Sequence, residues 1–484
     1  MGPIRRSATT ITKADAGQAA AAAAAPCELP ARELARRLRQ RQLSAGEALD
    51  AHLERIERHN GALNAVVSLN PSHAREQADA ADAALARGEV WGPLHGVPIT
   101  LKDAHDVAGL RTTVGTVPLD RLADEDGTVA ARLRAAGAII IGHTNVAAWL
   151  ADPCQSVNPV FGRTTNPWDT ERTPGGSSGG ATAAVAAGMT PLEVGSDLTG
   201  SIRLPAHFCG VYGLKPTEHS VAFTGFFRQP VRVPRPVRIM SCLGPIARDL
   251  GDLELALAII AGPDGHDSDV PPVPLVSQPR RPLRDLRLAV APALPGVRVA
   301  RGIQQKVERV AAQAADAGAR VEDRLPDVEW EAVDRLFGDL LGAILGALEP
   351  DAELRDEQRT LAWYIDALER RDEFIAVWDA FFQDFDGLML PPAMTSAFTH
   401  RDSGAPVEVD GQTVSYWELP RRLLTAFNLS GLPGLAVPAG LNDDGLPAGI
   451  QIVGPRWSDM RLMSIARELE EAGILPGFQP PPGY

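Results

Sequence analysis

The stretch from Pro174 to Arg203, PGGSSGGATAAVAAGMTPLEVGSDLTGSIR, concentrates glycine and serine in an order that packing alone does not demand. Ser177 and Ser201 each sit in a glycine-flanked turn, and the small-residue run ATAAVAAG between them predicts a tightly packed helix. Glycine beside serine lets the backbone take positive φ and lets a ligand approach main-chain N–H groups. Two such turns at the ends of one buried helix would bring two hydroxyls and a set of free amides toward one point. Acyl transfer needs that combination, a nucleophile facing an oxyanion hole.

Composition limits what else the chain can be. Its 484 residues, 45% of them hydrophobic, suffice for a large core. A formal charge of −14 argues against a phosphate-binding surface, which relies on clustered Lys and Arg, so a small neutral substrate is expected and no nucleic acid. Cys27, Cys154, Cys209 and Cys242 are widely separated and form no CxxC pair, so neither a zinc site nor a disulfide framework is predicted. Reduced thiols in a cytoplasm are the expectation. Residues 1–27 contain Arg5, Arg6 and an alanine run from Ala19 to Ala25 but no leucine-rich segment, and read as a low-complexity arm rather than a secretion signal. No segment has the apolar length of a bilayer span, and the nearest, Leu336 to Leu348, is broken by Asp339, so no membrane partner is expected.

Along the chain, LPARELARRLRQRQ, AGEALDAHLERIERHN and HAREQADAADAALARG carry helical spacing, and LHGVPITLKD reads as a short apolar strand running into Lys102 and Asp103. TVAARLRAAG followed by AIIIGHTN is a helix and strand, an alternation typical of α/β sheets. FTGFFRQPVRVPRPVR is an irregular loop, and a helix is expected to resume near residue 246 in GPIARDLGDLELALAIIAG. LRLAVAP, GIQQKVERVAAQAADAG and ARVEDRLP give strand, helix and strand, Trp330 to Phe385 reads as helical, and FDGLMLPPA, LLTAFNLSGLPGLAVPAG and GIQIVG bring further strands before a closing helix. One large α/β domain is predicted over residues 28–484, with a partly separable stretch from about 240 to 395.

Three side chains are candidates for chemistry. Ser201 follows Asp197-Leu198-Thr199-Gly200, whose turn amides could form an oxyanion hole, although a plain strand-to-loop turn would look the same. Lys102 ends an apolar strand, where burial would favour its neutral, basic form, whereas most lysines so placed are solvated. Ser177, in GGSSGG, could equally be a helix cap.

The combination is more specific than its members. HGVPITLKD, GHTN, PGGSSGG and GSDLTGSIRLPAHFCGVYGLKPT, in that order, resemble the amidase signature family of serine hydrolases, as do FNLSGLPGLAVPAG and GLPAGIQIVG near the C-terminus. The resemblance implies a single domain with a central mixed sheet flanked by helices on both faces, a signature core at about 75–265 plus 420–475, and a variable substrate-side region at about 325–400. It also implies a Ser–cisSer–Lys triad, with Ser201 as nucleophile, Ser177 as the bridging cis-peptide serine and Lys102 as base. The backbone N–H groups of Leu198, Thr199, Gly200 and Ser201 would hold the oxyanion, and no metal or organic cofactor is required. The expected activity is hydrolysis of a linear amide through an acyl-enzyme. One departure stands out: the family's glycine pair before the nucleophile is here Thr199-Gly200. A positive φ at Thr199 would strain its β-branched side chain.

Two other assignments compete. GGSSG matches the GxSxG elbow of α/β-hydrolases, with Ser177 as nucleophile, but that elbow directly follows a strand and TNPWDTERTPGG is turn-like. The chain could also be one component of a tRNA-dependent amidotransferase, yet Leu204 stands where that component more often has glutamine, and LADPCQSVNPVFG departs from its glutamine-site pattern. A standalone amidase is preferred, with a homodimer left open. Position next to the motifs and apolar character nominate Trp149, Asp152, Cys154, Gln155, Phe226 in the FTGFF loop, and the helical Trp330, Phe337, Leu341, Trp363 and Tyr364 as the substrate lining. Such a lining favours hydrophobic or aryl amides, carbamates or esters, although aromatics so placed can equally be core.

Overall fold

Apolar residues three and four apart build the first helices. Helix α1 (Ala31–Arg39) buries Leu34, Ala35 and Leu38, α2 (Ala45–Leu63) buries Leu49, His52 and Ile56, and α3 (Pro71–Ala86) buries Ala74, Ala78 and Ala81. Ser44 and Glu47 exchange side-chain and backbone hydrogen bonds to start α2, and Asn70 caps α3 ahead of Pro71. The computed structural model describes residues 24–227, 235–275, 279–348 and 360–484. Most of the low-complexity arm therefore lies outside the described residues; of its end, Cys27 is already buried, and its carbonyl accepts from Arg248 at 2.9 Å.

Strands β1 (Val66–Leu69), β2 (Pro98–Lys102) and β3 (Ile139–Thr144) form a small sheet in the order β1-β3-β2, with helix α4 (Thr128–Ala135) leading into β3. Next come α5 (Gly179–Ala186), β4 (Leu192–Asp197), α6 (Arg203–Cys209), β5 (Tyr212–Lys215), β6 (Cys242–Ala247), α7 (Leu250–Ile260), β7 (Arg287–Val290), α8 (Arg301–Asp316) and β8 (Arg320–Asp323). Then follow α9 (Trp330–Leu348), α10 (Leu361–Phe381), β9 (Gly387–Leu390), α11 (Thr425–Leu429), β10 (Gly434–Leu441), β11 (Pro447–Val453) and α12 (Asp459–Glu471). The large sheet runs β8-β7-β9-β11-β10-β5-β6-β4. It is parallel across β8-β7-β9 and antiparallel elsewhere. The result is a single α/β domain with a large mixed sheet flanked by helices.

At the edge of this sheet β4 lies against β2 of the small one. The Thr100 amide donates to the Thr190 hydroxyl at 3.1 Å, and His105 Nε2 meets the Val194 carbonyl at 3.1 Å. The seam brings the Lys102 end of β2 beside the Ser196-Asp197 end of β4. Two expectations change. GPIA belongs to strand β6, and the helix begins only at Leu250, where the Asp249 carboxylate caps the Gly251 and Asp252 amides. Strands β6, β7, β8 and β9, all from the stretch expected to be partly separable, belong to the one large sheet.

Candidate active site

Helix α5 does not join the two serines end to end as the sequence suggests: Ser177 precedes it, but strand β4 intervenes before Ser201. The Gly176–Ser177 peptide bond is cis. Position 176 must be glycine, because a Cβ there would lie 2.4 Å from the backbone oxygens of Asp152 and Gln155. Ser178 occupies the helix-cap position but gives α5 no side-chain cap. Both hydroxyls turn instead to Lys102, whose Nζ lies 2.8 Å from Ser177 Oγ, 2.8 Å from Ser178 Oγ and 2.9 Å from Ser196 Oγ.

The lysine is 0% exposed. Burial disfavours the ammonium and lowers its pKa to about 7, although Glu193 and Asp197 act in the opposite direction. A neutral amine has two N–H bonds and one lone pair, so among three oxygen neighbours it donates twice and accepts once. Ser178 already donates to the Ser196 carbonyl at 3.4 Å, so the hydrogen accepted by the lysine comes from Ser177 or Ser196.

Asp197 organises the turn that carries Ser201. Its carboxylate accepts from the Gly200 amide at 2.9 Å, the Ile202 amide at 3.1 Å, Arg203 at 2.9 and 3.1 Å, and Asn428 Nδ2 at 3.0 Å. Arg203 is wholly buried too, and donates onward to Asn428 Oδ1 at 2.7 Å and the Leu424 carbonyl at 3.2 Å. Burial alone would raise the pKa of Asp197, but the Arg203 charge and hydrogen bonds hold it well below the usual carboxylate range. Satisfied on every side, this pair avoids the desolvation cost of an isolated buried charge.

The turn corrects one expected role and removes one expected strain. Gly200 takes φ +102°, where a Cβ would fall 2.3 Å from Leu424 Cδ1, while Thr199 keeps a negative φ that its β-branched side chain tolerates. The Gly200 N–H is committed to Asp197 and does not fit the donor role expected of it. The Leu198, Thr199 and Ser201 amides have no hydrogen-bond acceptor among the described residues, and the same three residues line a cavity with Ser177 and Ser196. Ser201 is buried in its wall, and among the described residues its hydroxyl makes no hydrogen bond to Ser177.

The cavity holds about 240 Å³ and is walled mainly by carbon: Trp149, Leu150, Pro153, Phe226, Phe227, Val237, Phe337, Leu341, Ile344, Leu345, Trp417 and Pro420. No charged side chain lines it among the described residues. A larger cleft of about 510 Å³, bounded by Arg172, Arg401, Asp410 and Asp443, contains neither serine.

Of the residues nominated for the substrate, Trp149, Phe226, Phe337 and Leu341 line the cavity. Asp152, Cys154 and Gln155 stand behind its wall instead. Asp152 accepts from Tyr416 Oη at 2.6 Å and from the Cys154 amide at 2.8 Å, and Gln155 reaches Tyr416 Oη at 3.2 Å, so these side chains brace the Ala151–Pro153 segment. Trp330 is core, and Tyr364 packs half-buried against the same apolar cluster without reaching the cavity. Sequence reasoning missed Ser178, Ser196, Asn428 and Trp417. Ser178 and Ser196 stood inside the glycine-rich motifs, whereas Asn428 and Trp417 carry no local signal.

The fold and this buried cluster of lysine and serines define the amidase signature class, and the chain belongs to the Amidase family, whose model matches residues 47–341 and 327–463. It is an amidohydrolase. An indoleacetamide hydrolase of Bradyrhizobium diazoefficiens is 33% identical over 459 residues, covering 90% of this chain and 85% of the relative. A glutamyl-tRNA(Gln) amidotransferase component of Moorella thermoacetica is 33% identical over 486 residues, covering 92% and 96%. A chain solved in a vestigial complex bearing on the origins of an s-triazine catabolic enzyme superposes with a TM-score of 0.80 at 28% identity, covering 92% of this chain and 99% of that one.

Proposed function

We propose that the enzyme hydrolyses the C–N bond of a neutral apolar or aryl amide through an acyl-enzyme on Ser201. The observation that carries this reading is the fully buried Lys102 amine, 2.8 Å from the Oγ of Ser177, which lines one cavity together with Ser201. Neutral Lys102 takes the proton of Ser177, Ser177 takes that of Ser201, and the Ser201 oxygen attacks the amide carbonyl. The Leu198, Thr199 and Ser201 amides, without an acceptor among the described residues, receive the oxyanion. Protonated Lys102 returns the proton through Ser177 to the leaving nitrogen, which departs as amine or ammonia. Water then repeats the sequence on the ester and releases the acid.

The lining, charge-free among the described residues, supports an uncharged substrate. The relative named indoleacetamide hydrolase supports an aryl group in it. Hydrolysis of a panel of aryl amides, fatty amides, carbamates and p-nitrophenyl esters, run beside Ser201→Ala, tests the assignment. Turnover of at least one class by the wild type and none by the variant is expected; full activity in Ser201→Ala would overturn it.

The relatives named as amidotransferase components favour a second reading, a chain that releases ammonia within an assembly. Free glutamine carries two charges for which the cavity offers no partner among the described residues, and this weighs toward the standalone enzyme. Copurification of partner proteins of that assembly from the native host would reverse that preference.

A further inference from the structure

One buried carboxyl near the lysine takes no part in the proton relay. Glu193, on β4, is 0% exposed; its Oε1 accepts from Thr144 Oγ1 at 2.7 Å, and its Oε2 has no hydrogen-bond partner among the described residues. Thr144 is the cross-strand partner of Lys102 in the β2–β3 pairing. The Thr144 hydroxyl therefore links the carboxyl to the sheet position beside the base.

The surrounding charges leave Glu193 distinct. Two carboxyls act on Lys102, Glu193 and Asp197. Asp197 is already matched by Arg203 at 2.9 Å and by Asn428. Asp103, after β2, is held by the Thr113 amide at 2.8 Å, with His143 of β3 at 3.8 Å. His105 stays neutral, its pKa lowered to about 3 by burial and by its neighbours His143 and Lys102. Of the two carboxyls that act on the lysine, Asp197 has an arginine partner and Glu193 makes no ion pair with an arginine among the described residues.

We propose that Glu193 is a positioning residue that shares a proton with Lys102 and so sets the pH at which Lys102 becomes a free base. The proposal rests on Lys102 being the base of the relay. In a site sealed from water an ammonium with no counter-charge is costly, and a nearby carboxylate lowers that cost while a carboxylic acid does not. Two such groups titrate as a pair. When the pair holds one proton, it is either amine and acid or ammonium and carboxylate. Only the first can deprotonate Ser177, and the ammonium formed as Ser201 attacks is stabilised by whatever carboxylate character Glu193 retains. Burial raises Glu193 and lowers Lys102, which brings their titrations toward one pH range.

The test needs no knowledge of the natural substrate. An alkyl fluorophosphonate forms an oxygen–phosphorus bond with the nucleophilic serine as fluoride leaves, and its rate reports the base that removes the serine proton. The rate is followed from about pH 5 to pH 9 for wild type, Glu193→Gln, Thr144→Val and Lys102→Ala. Glu193→Gln is expected to shift the acid limb to lower pH by on the order of one unit, because the ammonium loses its counter-charge. Thr144→Val removes a hydrogen bond that favours the carboxylate, and is expected to shift the limb in the same direction by less. A Glu193→Gln profile that superposes on wild type, in a protein with unchanged near-ultraviolet circular dichroism, would overturn the proposal. If that variant does not fold, an unmoved or upward-shifted limb in Thr144→Val overturns it instead. Lys102→Ala reacting at the wild-type rate would defeat the underlying base assignment, however the Glu193 variants behave.

Discussion

The nitrogen of Lys102 is ringed by three hydroxyl oxygens within 2.9 Å, whereas the wall that α9 presents to the same cavity offers only Phe337, Leu341, Ile344 and Leu345. The polar pole draws almost all its groups from residues 102–203, with Asn428 and Gln451 closing it from behind Arg203. The apolar wall is assembled from the segments around Trp149, Phe226, Val237, α9 and Trp417. Atoms in the pole are tied to one another by directional bonds, so one change leaves a buried group unpaired. Atoms in the wall meet through dispersion and shape, so a change alters volume and leaves the chemistry intact. The pole should therefore govern turnover and folding, and the wall selectivity.

The comparison breaks first if the pole tolerates substitution. Ser201→Ala is expected to lower kcat by at least about 10³-fold with the fold unchanged, read by steady-state kinetics beside circular dichroism. Arg203→Met leaves Asp197 buried and unpaired. It should cost about 3–5 kcal/mol in chemical denaturation, and an unshifted midpoint would mean that the pair does not hold the turn.

The pH profile sharpens the picture of the pole. The Lys102 pKa is lowered, so the ammonium predominates below about 7 and the amine above it. With the amine as the proposed base, kcat/KM should rise with pH and level off above that value, falling by about tenfold per unit below it. A profile that falls as pH rises through 7 would have the wrong sign.

On the wall, Phe337→Ala should raise KM for aryl amides by about tenfold while kcat changes little, visible as a shift in preference between aryl and short alkyl amides. Thr199→Gly should do least. Thr199 already has a negative φ, and its proposed contribution to the oxyanion hole is a backbone amide, so turnover should persist with a modest change in substrate range. A large gain on every amide would show instead that the threonine obstructs the site.

The contrast also explains what could be read from the sequence. Ser177 among glycines and Ser201 after Asp197 announce themselves because each turn needs a local backbone that few residues supply, as Gly176 and Gly200 illustrate, while Lys102 stands out as the charged end of the apolar strand VPITLK. The alternation of helices and apolar strands likewise marked the α/β class. Strand β6 is hidden in the sequence because GPIA is short, carries proline and runs straight into a strong helical pattern; its pairing with β4 and β5 makes it a strand. Nothing in GSDLTGS says which amides the Asp197 carboxylate will take, so the Gly200 N–H, expected in the oxyanion hole, is found bonded to Asp197 instead. Trp417, 54% exposed at the cavity and more than 200 residues from the serines, has no local pattern that separates it from a surface aromatic. Asp152 and Tyr364 were nominated by proximity and character, properties that a bracing residue shares with a lining one.

The division of labour between the two serines stands most directly on which oxygen becomes covalently bound. Brief reaction of the protein with an alkyl fluorophosphonate, followed by peptide mapping by mass spectrometry, should find the adduct on Ser201 alone, and should find none in Ser201→Ala. An adduct on Ser177, or labelling that persists in Ser201→Ala, would contradict the assignment of nucleophile and bridge.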